Sequence, residues 1–375
     1  MHKCKLSDCV KEINNRTTEN NQYEVLTSSK NGIFSQEEYF DKQVASKDNT
    51  GYKIIEKGQF TYRSMSDSGT FTINRLEDKD IGIVSPAYPV FEATNIDAEF
   101  LKYYFKSELF NKAIINLSQG STRTALKFKD LIDIEIFLPE IEEQKKIVKI
   151  LKNNDQIIEK YDKLIKEKEQ FIKSQFVEMF EEDINVQKTT VNNVADIYLG
   201  LTYTPKYTET GIPFLSSKNI SSQKLDLEDI KYISQEEYEN ATNNAKPING
   251  DILFSRVGSN LGNPTIFETN IKCAIFVSLG YLRIKNTNEF DNIFVRDWMK
   301  SDNFWHQVFN KVSGGAKQNL NTNWLRNFEI PNPSLEKQNE YKSLVQLIDK
   351  QKFNYINKIK LLNKIINIFL GGKKI

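Results

Sequence analysis

The feature that most constrains this chain is a long stretch that occurs twice. Sliding the sequence on itself by 194 residues, the separation of Pro139 from Pro333, keeps one register without a gap from Asp97 to Ile165. Further identities at this offset are Asp97 and Asp291, Phe100 and Phe294, Ser107 and Ser301, Phe110 and Phe304, Leu126 and Leu320, Gln144 and Gln338, Asp155 and Asp349, and Tyr161 and Tyr355. A chance match would not hold one offset for so long, so the sequence predicts a duplicated fold.

Each copy ends with a long helix that a proline precedes by a few residues. No Pro or Gly occurs between Gln144 and Gly200, and good helix formers dominate as far as Phe180. Apolar residues alternate in steps of four and three, which is the heptad seam of a coiled coil. At roughly 1.5 Å per residue, a helix of this kind is about 50 Å long. The seam residues are Ile147, Leu151, Ile158, Tyr161, Ile165 and Ile172 in the first copy, and Tyr341, Val345, Ile348, Tyr355, Ile359, Leu362 and Ile366 in the second.

The two seams differ where the first is polar, because Asn154 and Lys168 correspond to Ile348 and Leu362. These differences look complementary, so we expect the two helices to pack against each other. Two unrelated amphipathic helices with a common pattern are the alternative, and the shared Pro, Gln, Asp and Tyr disfavour it.

The repeat predicts four segments. They are a first globular domain at 1–143, a central spacer helix at 144–182, a second globular domain at 183–335 and a C-terminal spacer helix at 336–375. Short runs of β-forming residues between Gly, Asp and Ser predict strands at Tyr23–Thr27, Gly51–Ile55, Gln59–Arg63, Thr70–Ile73 and Gly82–Ser85. Single helices are expected at 97–116 and 291–311. The fold class is therefore mixed α/β (α+β): two repeated globular domains joined by two long antiparallel coiled-coil helices, with pseudo-two-fold symmetry.

Catalytic chemistry has little support in the sequence. The two histidines, His2 and His306, and three unpaired cysteines form no zinc motif, and no Walker A or dinucleotide fingerprint occurs. The tetrapeptide Asn332–Leu335 resembles an amino-methyltransferase motif, but it matches the junction at Leu138–Ile141 and so belongs to a strand-to-helix connection. The odd number of cysteines, with no signal peptide and no long apolar run, predicts a cytoplasmic protein without a membrane span.

Charge is balanced overall but not locally. The formal net charge of the chain is +1. From Glu336 to Ile375, however, nine Lys stand against three acidic residues. Such a basic helix suits phosphates or an acidic partner, and a solvated lysine face explains it equally well.

Two predicted loops at repeat-related positions contain residue types that bind nucleic acids. Each loop places glycine beside Arg, Lys, Gln or Asn, and glycine permits a close approach of the backbone to a ligand. Arg, Gln and Asn contact base edges, while Lys contacts phosphate. Ordinary surface turns are the alternative for each site alone. The candidate DNA-binding residues are Tyr62, Arg63, Arg123, Lys127, Lys218, Asn219, Ser255, Arg256, Lys317, Gln318 and Asn319.

These features together resemble the specificity (S) subunit of type I restriction-modification systems. The likeness rests on the repeated unit, on Leu138-Pro139 followed by Glu143-Gln144, and on Gly200–Pro205, Gly211–Leu215 and Gly250–Leu253. The resemblance implies two target recognition domains, each reading one half of a bipartite site in double-stranded DNA. It also implies that two methyltransferase (M) subunits, which carry S-adenosylmethionine, and restriction (R) subunits dock on a chain with no cofactor or active site of its own.

Two other functions remain open at this point. One is a DNA methyltransferase or nuclease with its own active site, which would bind S-adenosylmethionine alone. The other is a coiled-coil scaffold that never touches DNA, which a mobility-shift assay would distinguish.

Overall fold

The computed structural model describes residues 2–39, 48–66, 69–117, 124–220, 225–258, 261–311 and 320–370. The chain divides into two compact units. The first comprises Met1–Asp162 with Tyr355–Ile375, and the second comprises Lys163–Asn354. Each of the two long helices contributes one part to each unit.

The first unit is built on antiparallel strand pairs and four short helices. Its strands are β1 (His2–Lys5), β2 (Val10–Glu12), β3 (Leu26–Ser29), β4 (Gly32–Ser35), β5 (Lys53–Glu56), β6 (Phe60–Thr61), β7 (Met65–Ser66), β8 (Asn74–Arg75), β9 (Ile81–Val84), β10 (Val90–Ala93), β11 (Thr124–Ala125) and β12 (Glu135–Leu138). Its helices are α1 (Gln36–Tyr39), α2 (Ala98–Lys106), α3 (Glu108–Leu117) and α4 (Phe128–Ile132). The central sheet has the order β2-β10-β6-β8, and β1-β12, β3-β4, β5-β9 and β7-β11 form two-stranded pairs.

The long helix α5 (Ile141–Phe176) follows and ends in a π-helical turn, Val177–Glu181. The strands of the second unit are β13 (Gln187–Thr190), β14 (Ala195–Leu199), β15 (Tyr207–Thr208), β16 (Ile212–Leu215), β17 (Lys231–Ile233), β18 (Ile252–Ser255), β19 (Thr265–Ile266), β20 (Ala274–Ile275), β21 (Leu279–Ile284) and β22 (Glu329–Asn332). Its short helices are α6 (Val191–Val194), α7 (Gln235–Asn240), α8 (Asn292–Trp298), α9 (Asp302–Lys311) and α10 (Thr322–Arg326), and α11 (Leu335–Leu370) is the second long helix. The sheet β14-β21-β18-β19 is joined by a second sheet, β15-β17-β16-β20, and by the pair β13-β22.

The single helices expected before the candidate loops are each two helices. The break falls at Ser107 in the first unit and at Ser301 in the second, which are repeat partners. Both Ser hydroxyls accept a hydrogen bond from a backbone N–H three residues later, from Phe110 at 3.2 Å and from Phe304 at 3.3 Å. A serine that bonds the backbone locally competes with helix continuation, and an uninterrupted helix was therefore the wrong prediction.

One of the expected strands of the first unit is absent. Thr70–Ile73 belongs to no strand, and the strand is instead the next two residues, β8. Phe71 and Ile73 are buried in the main core, so their alternation reflects burial and not sheet pairing. The other strand predictions fall within three residues of β3, β5, β6 and β9.

The long helices pair antiparallel within each unit. In the first unit the ring of Tyr161 stacks on Tyr355 with centroids 5.2 Å apart. In the second, Phe176 contacts Tyr341 at 5.5 Å, edge to face. The Tyr161–Tyr355 stack sets a register in which Asn154, seven residues earlier, lies level with Leu362, seven residues later. Seam residues of both helices are buried or half-buried, which confirms the predicted pairing.

A buried glutamine near the start of each long helix bonds the N-cap residue of a short helix, α2 in the first unit and α8 in the second. Gln144 accepts a hydrogen bond from the Asp97 N–H at 2.8 Å and donates to the Pro139 carbonyl at 2.8 Å. Its repeat partner Gln338 accepts from the Asp291 N–H at 2.8 Å and donates to the Pro333 carbonyl at 3.1 Å. The proline and the glutamine that recur at this spacing therefore form a hydrogen-bonded junction, the glutamine joint, between the domain and the long helix. The same atoms form it in both units.

A tyrosine–aspartate hydrogen bond reinforces this joint in both units, with the partners exchanged. In the first unit Tyr103 of α2 donates to Asp155 of α5 at 2.6 Å. In the second, Tyr341 of α11 donates to Asp297 of α8 at 3.1 Å. The short-helix residues Tyr103 and Asp297 are repeat partners, but the long-helix residues are not, because Asp155 corresponds to Asp349 and Tyr341 to Ile147.

Candidate nucleic-acid interface

The first candidate segment, 118–123, lies outside the described residues, and the chain is described again from β11. Thr124–Ala125 pairs with Met65–Ser66, and the next residue, Leu126, donates its N–H to the Ser64 carbonyl at 2.9 Å. The Tyr62 hydroxyl donates to the Leu126 carbonyl at 3.1 Å. Both main-chain polar groups of Leu126 are therefore bonded to the segment that leaves β6.

The second candidate segment, 312–319, also lies outside the described residues, and the chain is described again from Leu320. The Leu320 N–H donates to the Arg256 carbonyl at 2.9 Å. The Arg256 side chain turns back to donate Nε to the Leu320 carbonyl at 3.4 Å and Nη1 to the Val277 carbonyl at 3.2 Å. Burial lowers the pKa of the Arg256 guanidinium from its ordinary value, and the two carbonyls offset the loss of water around the charge.

The structure divides the candidate residues predicted from the sequence into three groups. Tyr62, Asn219 and Ser255 are buried and bond inside the fold; Asn219, for example, accepts from the Ser216 N–H at 2.8 Å and donates to the Asp226 carbonyl at 3.2 Å. Arg256 is half-buried, and its guanidinium donates to the carbonyls of Leu320 and Val277. Arg63, Lys127 and Lys218 are exposed. Arg123, Lys317, Gln318 and Asn319 lie outside the described residues.

Sequence reasoning missed an aromatic and basic surface on the sheet β15-β17. Lys231 lies 4.2 Å above the ring centroid of Tyr207, a cation–π contact, and Lys206 next to it is exposed. Tyr203 is also exposed, with its hydroxyl donating to Glu237 at 2.9 Å. The sequence signal is the short run that contains Tyr203, Lys206 and Tyr207, because aromatic and basic residues close together suit sugar and phosphate contacts.

The described residues contain neither a metal-binding cluster nor a membrane-spanning helix. Across residues 2–39, 48–66, 69–117, 124–220, 225–258, 261–311 and 320–370, no group of three or more His, Cys, Asp and Glu side chains could hold a metal ion. In the same ranges no helix has the length and apolar character needed to cross a bilayer.

Comparison with known proteins gives consistent matches. A family model described as the type I restriction modification DNA specificity domain matches residues 4–170. The type I restriction enzyme MjaVIII specificity subunit of Methanocaldococcus jannaschii is 24% identical over 317 residues, which cover 78% of this chain and 74% of that protein.

One solved structure shares the fold, and a second is similar at a lower score. A chain described under complex assembly and conformational transition of the type I R-M system superposes with a TM-score of 0.60 at 16% identity, covering 99% of this chain and 96% of that one. The type I S subunit from M. genitalium gives a TM-score of 0.49 at 17% identity, with 98% and 94% covered. The first of these shows a common fold of two β-rich domains with paired long helices. Together with the family model over residues 4–170 and the curated relative, it confirms the resemblance inferred from the repeated junction: this chain is similar to type I restriction-modification DNA specificity subunits.

Proposed function

We propose that each unit reads one half of a bipartite sequence in double-stranded DNA, and that the paired helices dock the catalytic subunits of the system. Specificity subunits are the non-catalytic members of type I systems. The observation that carries the proposal is the duplication at the level of atoms. The glutamine joint and the side-chain hydrogen bond to the leucine carbonyl recur in both units at one offset, as expected of two corresponding readers.

Exposed basic residues in both units support a DNA-facing surface. Lys127 directly follows Leu126, and Arg63 lies between Tyr62 and Ser64, whose groups bond that leucine. In the second unit Lys218 is exposed on the 3-10 turn Ser217–Ile220. Together with Arg123 and Lys317 of the loops themselves, these residues supply the positive charge that phosphates require.

An exposed apolar stripe on α5 supports docking of helical segments from the methyltransferase subunits. Ile150 and Ile157 in the first unit, and Leu164 and Phe171 in the second, recur every seven residues outside the seam. Apolar side chains at this spacing form one face of a helix that a partner helix can cover. We assign S-adenosylmethionine to those methyltransferase subunits, and we assign the restriction subunits as further partners.

The loop assignment is tested by Arg123→Ala and Lys317→Ala, measured with the cognate methyltransferase subunits across a salt series. A residue that contacts bases should lose about 1–3 kcal/mol of discrimination in one half-site only. A residue on phosphate should weaken binding to every sequence and make the salt dependence shallower. Lys163→Ala on an exposed part of α5 is the matched control, because it removes one positive charge elsewhere. Wild-type affinity, selectivity and salt slope for both loop variants would sink the assignment.

A further inference from the structure

Two of the three cysteines of the chain lie against each other in the first unit. The sulfur atoms of Cys4, on β1, and Cys9, just after the turn Leu6–Asp8, are 3.9 Å apart. A disulfide needs a separation of about 2.05 Å, and the remaining gap is small enough for rotation about the two Cα–Cβ bonds to close. Both side chains are free thiols, so the pair is a reduced dithiol.

The second unit has no thiol at the place that corresponds to Cys4. In the pair β1-β12, Cys4 lies opposite Ile136. The repeat partner of Ile136 is Ile330, and Thr189 lies opposite it in the pair β13-β22. Cys4 and Thr189 therefore occupy matching positions, and both are half-buried.

The place of Cys9 is filled by Val194 in the second unit. The Cys9 carbonyl accepts a hydrogen bond from the Thr94 N–H, just after β10, at 2.9 Å. The Val194 carbonyl accepts one from the Lys285 N–H, just after β21, at 3.0 Å. Cys9 and Val194 are each 1% exposed. Since Thr and Val fill these two places in the second unit, packing alone does not require two thiols in the first.

A small molecule can reach the dithiol from solvent. Both cysteines line an opening of about 310 Å³ in the surface of the first unit, together with His2, Asp8 and Gln144. Burial raises the pKa of both thiols, to about 12 for Cys9, and the hydrogen bond between the two sulfurs opposes that rise at Cys4. Cys4 is also the more exposed of the two. It is therefore the thiol that a reagent meets first and that loses its proton more readily.

We propose that Cys4 and Cys9 form a redox-sensitive modification site, which a low-molecular-weight disulfide such as oxidised glutathione converts to a Cys4–Cys9 disulfide. The Cys4 thiolate attacks one sulfur of the reagent, so a mixed disulfide forms and one glutathione leaves as a thiol. Cys9 then loses its proton and attacks the Cys4 sulfur, and the second glutathione leaves as a thiol. Two protein thiols are oxidised and one reagent disulfide is reduced, so no further oxidant is needed.

The disulfide braces the first unit alone. It closes Cys4–Cys9 into a ring around the turn Leu6–Asp8 and joins Cys9 covalently to β1. Because the Cys9 carbonyl holds the Thr94 N–H, opening of that hydrogen bond should become rarer after oxidation. The matching bond from Lys285 to Val194 has no thiol beside it in these two positions and serves as the reference.

The test uses the full chain, reduced and then incubated with an excess of oxidised glutathione. Acid quenching, unfolding and alkylation of the remaining thiols are followed by trypsin and mass spectrometry. Trypsin cuts after Lys5, between the two cysteines, so a Cys4–Cys9 disulfide is seen as two peptides held together. The wild-type chain should lose two of its three alkylated thiols and keep Cys273, which is buried in the second unit, in the alkylated form. Dithiothreitol should restore all three.

The residues of the second unit supply the matched variants. Cys9→Val, which cannot resolve the first intermediate, should accumulate glutathione on Cys4. Cys4→Thr should leave Cys9 alkylated. In the oxidised wild-type chain, hydrogen exchange at the Thr94 N–H should slow while exchange at the Lys285 N–H stays unchanged. Oxidised glutathione should alter neither rate in the double variant.

Three alkylated thiols in the treated wild-type chain would overturn the inference. Glutathione that persists on wild-type Cys4 would do the same, because Cys9 would then lie out of reach, and so would disulfides between chains, seen as dimers without reductant. Unchanged exchange at Thr94, or equal slowing at Thr94 and Lys285, would contradict the bracing of one unit. None of these measurements involves DNA, so failure of the proposed reading function is a separate result.

Discussion

Asp297 concentrates more interactions on one carboxylate than the other described side chains of α8. It is 5% exposed, with Arg296 at 2.7 Å, Lys300 at 3.0 Å and the Tyr341 hydroxyl at 3.1 Å. Burial alone would raise the pKa of this carboxyl, but the charges of Arg296 and Lys300 outweigh burial and hold the pKa below its ordinary value. A carboxyl whose pKa is lowered by folding stabilises the fold above its unfolded pKa, about 3.9, and loses that contribution as the pH falls.

Asp297→Asn should therefore be strongly destabilising, because it leaves Arg296 and Lys300 without their counter-charge. We expect a loss of about 3–5 kcal/mol in the free energy of unfolding at neutral pH, measured by chemical denaturation. The control is Asp302→Asn, which breaks an exposed ion pair with Lys173 and should cost less than about 1 kcal/mol. Equal losses in the two variants would contradict the prediction.

Residue types predicted the candidate interface less well than residue spacing predicted the fold. Tyr62 and Arg256 were selected as DNA contacts because Tyr and Arg in a turn commonly bind phosphates and bases. Their side chains bond main-chain carbonyls, and a partner that lies 64 residues away in sequence leaves no local trace. Arg63, Lys127 and Lys218 are exposed as DNA contacts must be, and their role stays a prediction.

The long helices are the elements that the sequence predicted best. Their heptad spacing and repeated capping segment are local properties, so the pattern predicted them within a few residues of their observed bounds. The break at Ser107 was not predicted, since a serine inside a helical pattern is compatible with either outcome. The strand expected at Thr70–Ile73 is not formed, because the alternation there reflects the burial of Phe71 and Ile73 in the core.

Replacing Ile165 and Ile359 together with Asp should abolish folding or binding of the methyltransferase subunits. Both isoleucines are half-buried seam residues, and a charge in the seam cannot be solvated while the helices stay paired. Lys160→Asp with Lys360→Asp changes exposed positions of the same helices and serves as the control. A wild-type melting curve together with an intact complex for the seam variant would refute the pairing.

Asn154 offers the opposite prediction, a stabilising change. It is 8% exposed, and its amide nitrogen has no hydrogen-bond partner although it lies level with Leu362. Asn154→Leu should raise the free energy of unfolding by about 1–3 kcal/mol, since a buried unsatisfied donor carries a cost of that size. Asn154→Asp is the informative companion, because it should lower stability. A lower melting temperature for the leucine variant would count against the inferred register.

At the scale of the whole molecule, the stacking of Tyr161 on its own repeat partner is characteristic of two-fold pairing between like surfaces. Residues 1–182 alone should therefore form a stable fragment that dimerises through its single seam. In such a dimer Tyr161 would meet Tyr161, and Asn154 would lie level with Lys168. In a dimer of residues 183–375, Ile348 would instead lie level with Leu362, which buries two apolar side chains.

The fragment 183–375 should consequently dimerise more tightly than the fragment 1–182. When the two are mixed, the heterodimer should form in preference to the homodimer of 1–182. Sedimentation of each fragment and of the mixture over a concentration series measures this. Folded monomers at every concentration would rule out self-pairing of the seams, and tighter pairing of 1–182 would rule out the role given to Asn154 and Lys168.

The glutamine joint also constrains how the gene can change. Gln144 and Gln338 each use one amide to accept an N–H and to donate to a carbonyl, and only a side chain with both functions at that reach can do so. A single base change in a glutamine codon yields Glu, Lys, Arg, Leu, Pro, His or a stop. The first five lack a donor or an acceptor, and the imidazole of His is shorter and places its two nitrogens differently. Every amino-acid change that a single base substitution produces at these positions therefore costs the joint at least one of its two hydrogen bonds. A replacement that keeps both bonds would need two base substitutions in the same codon.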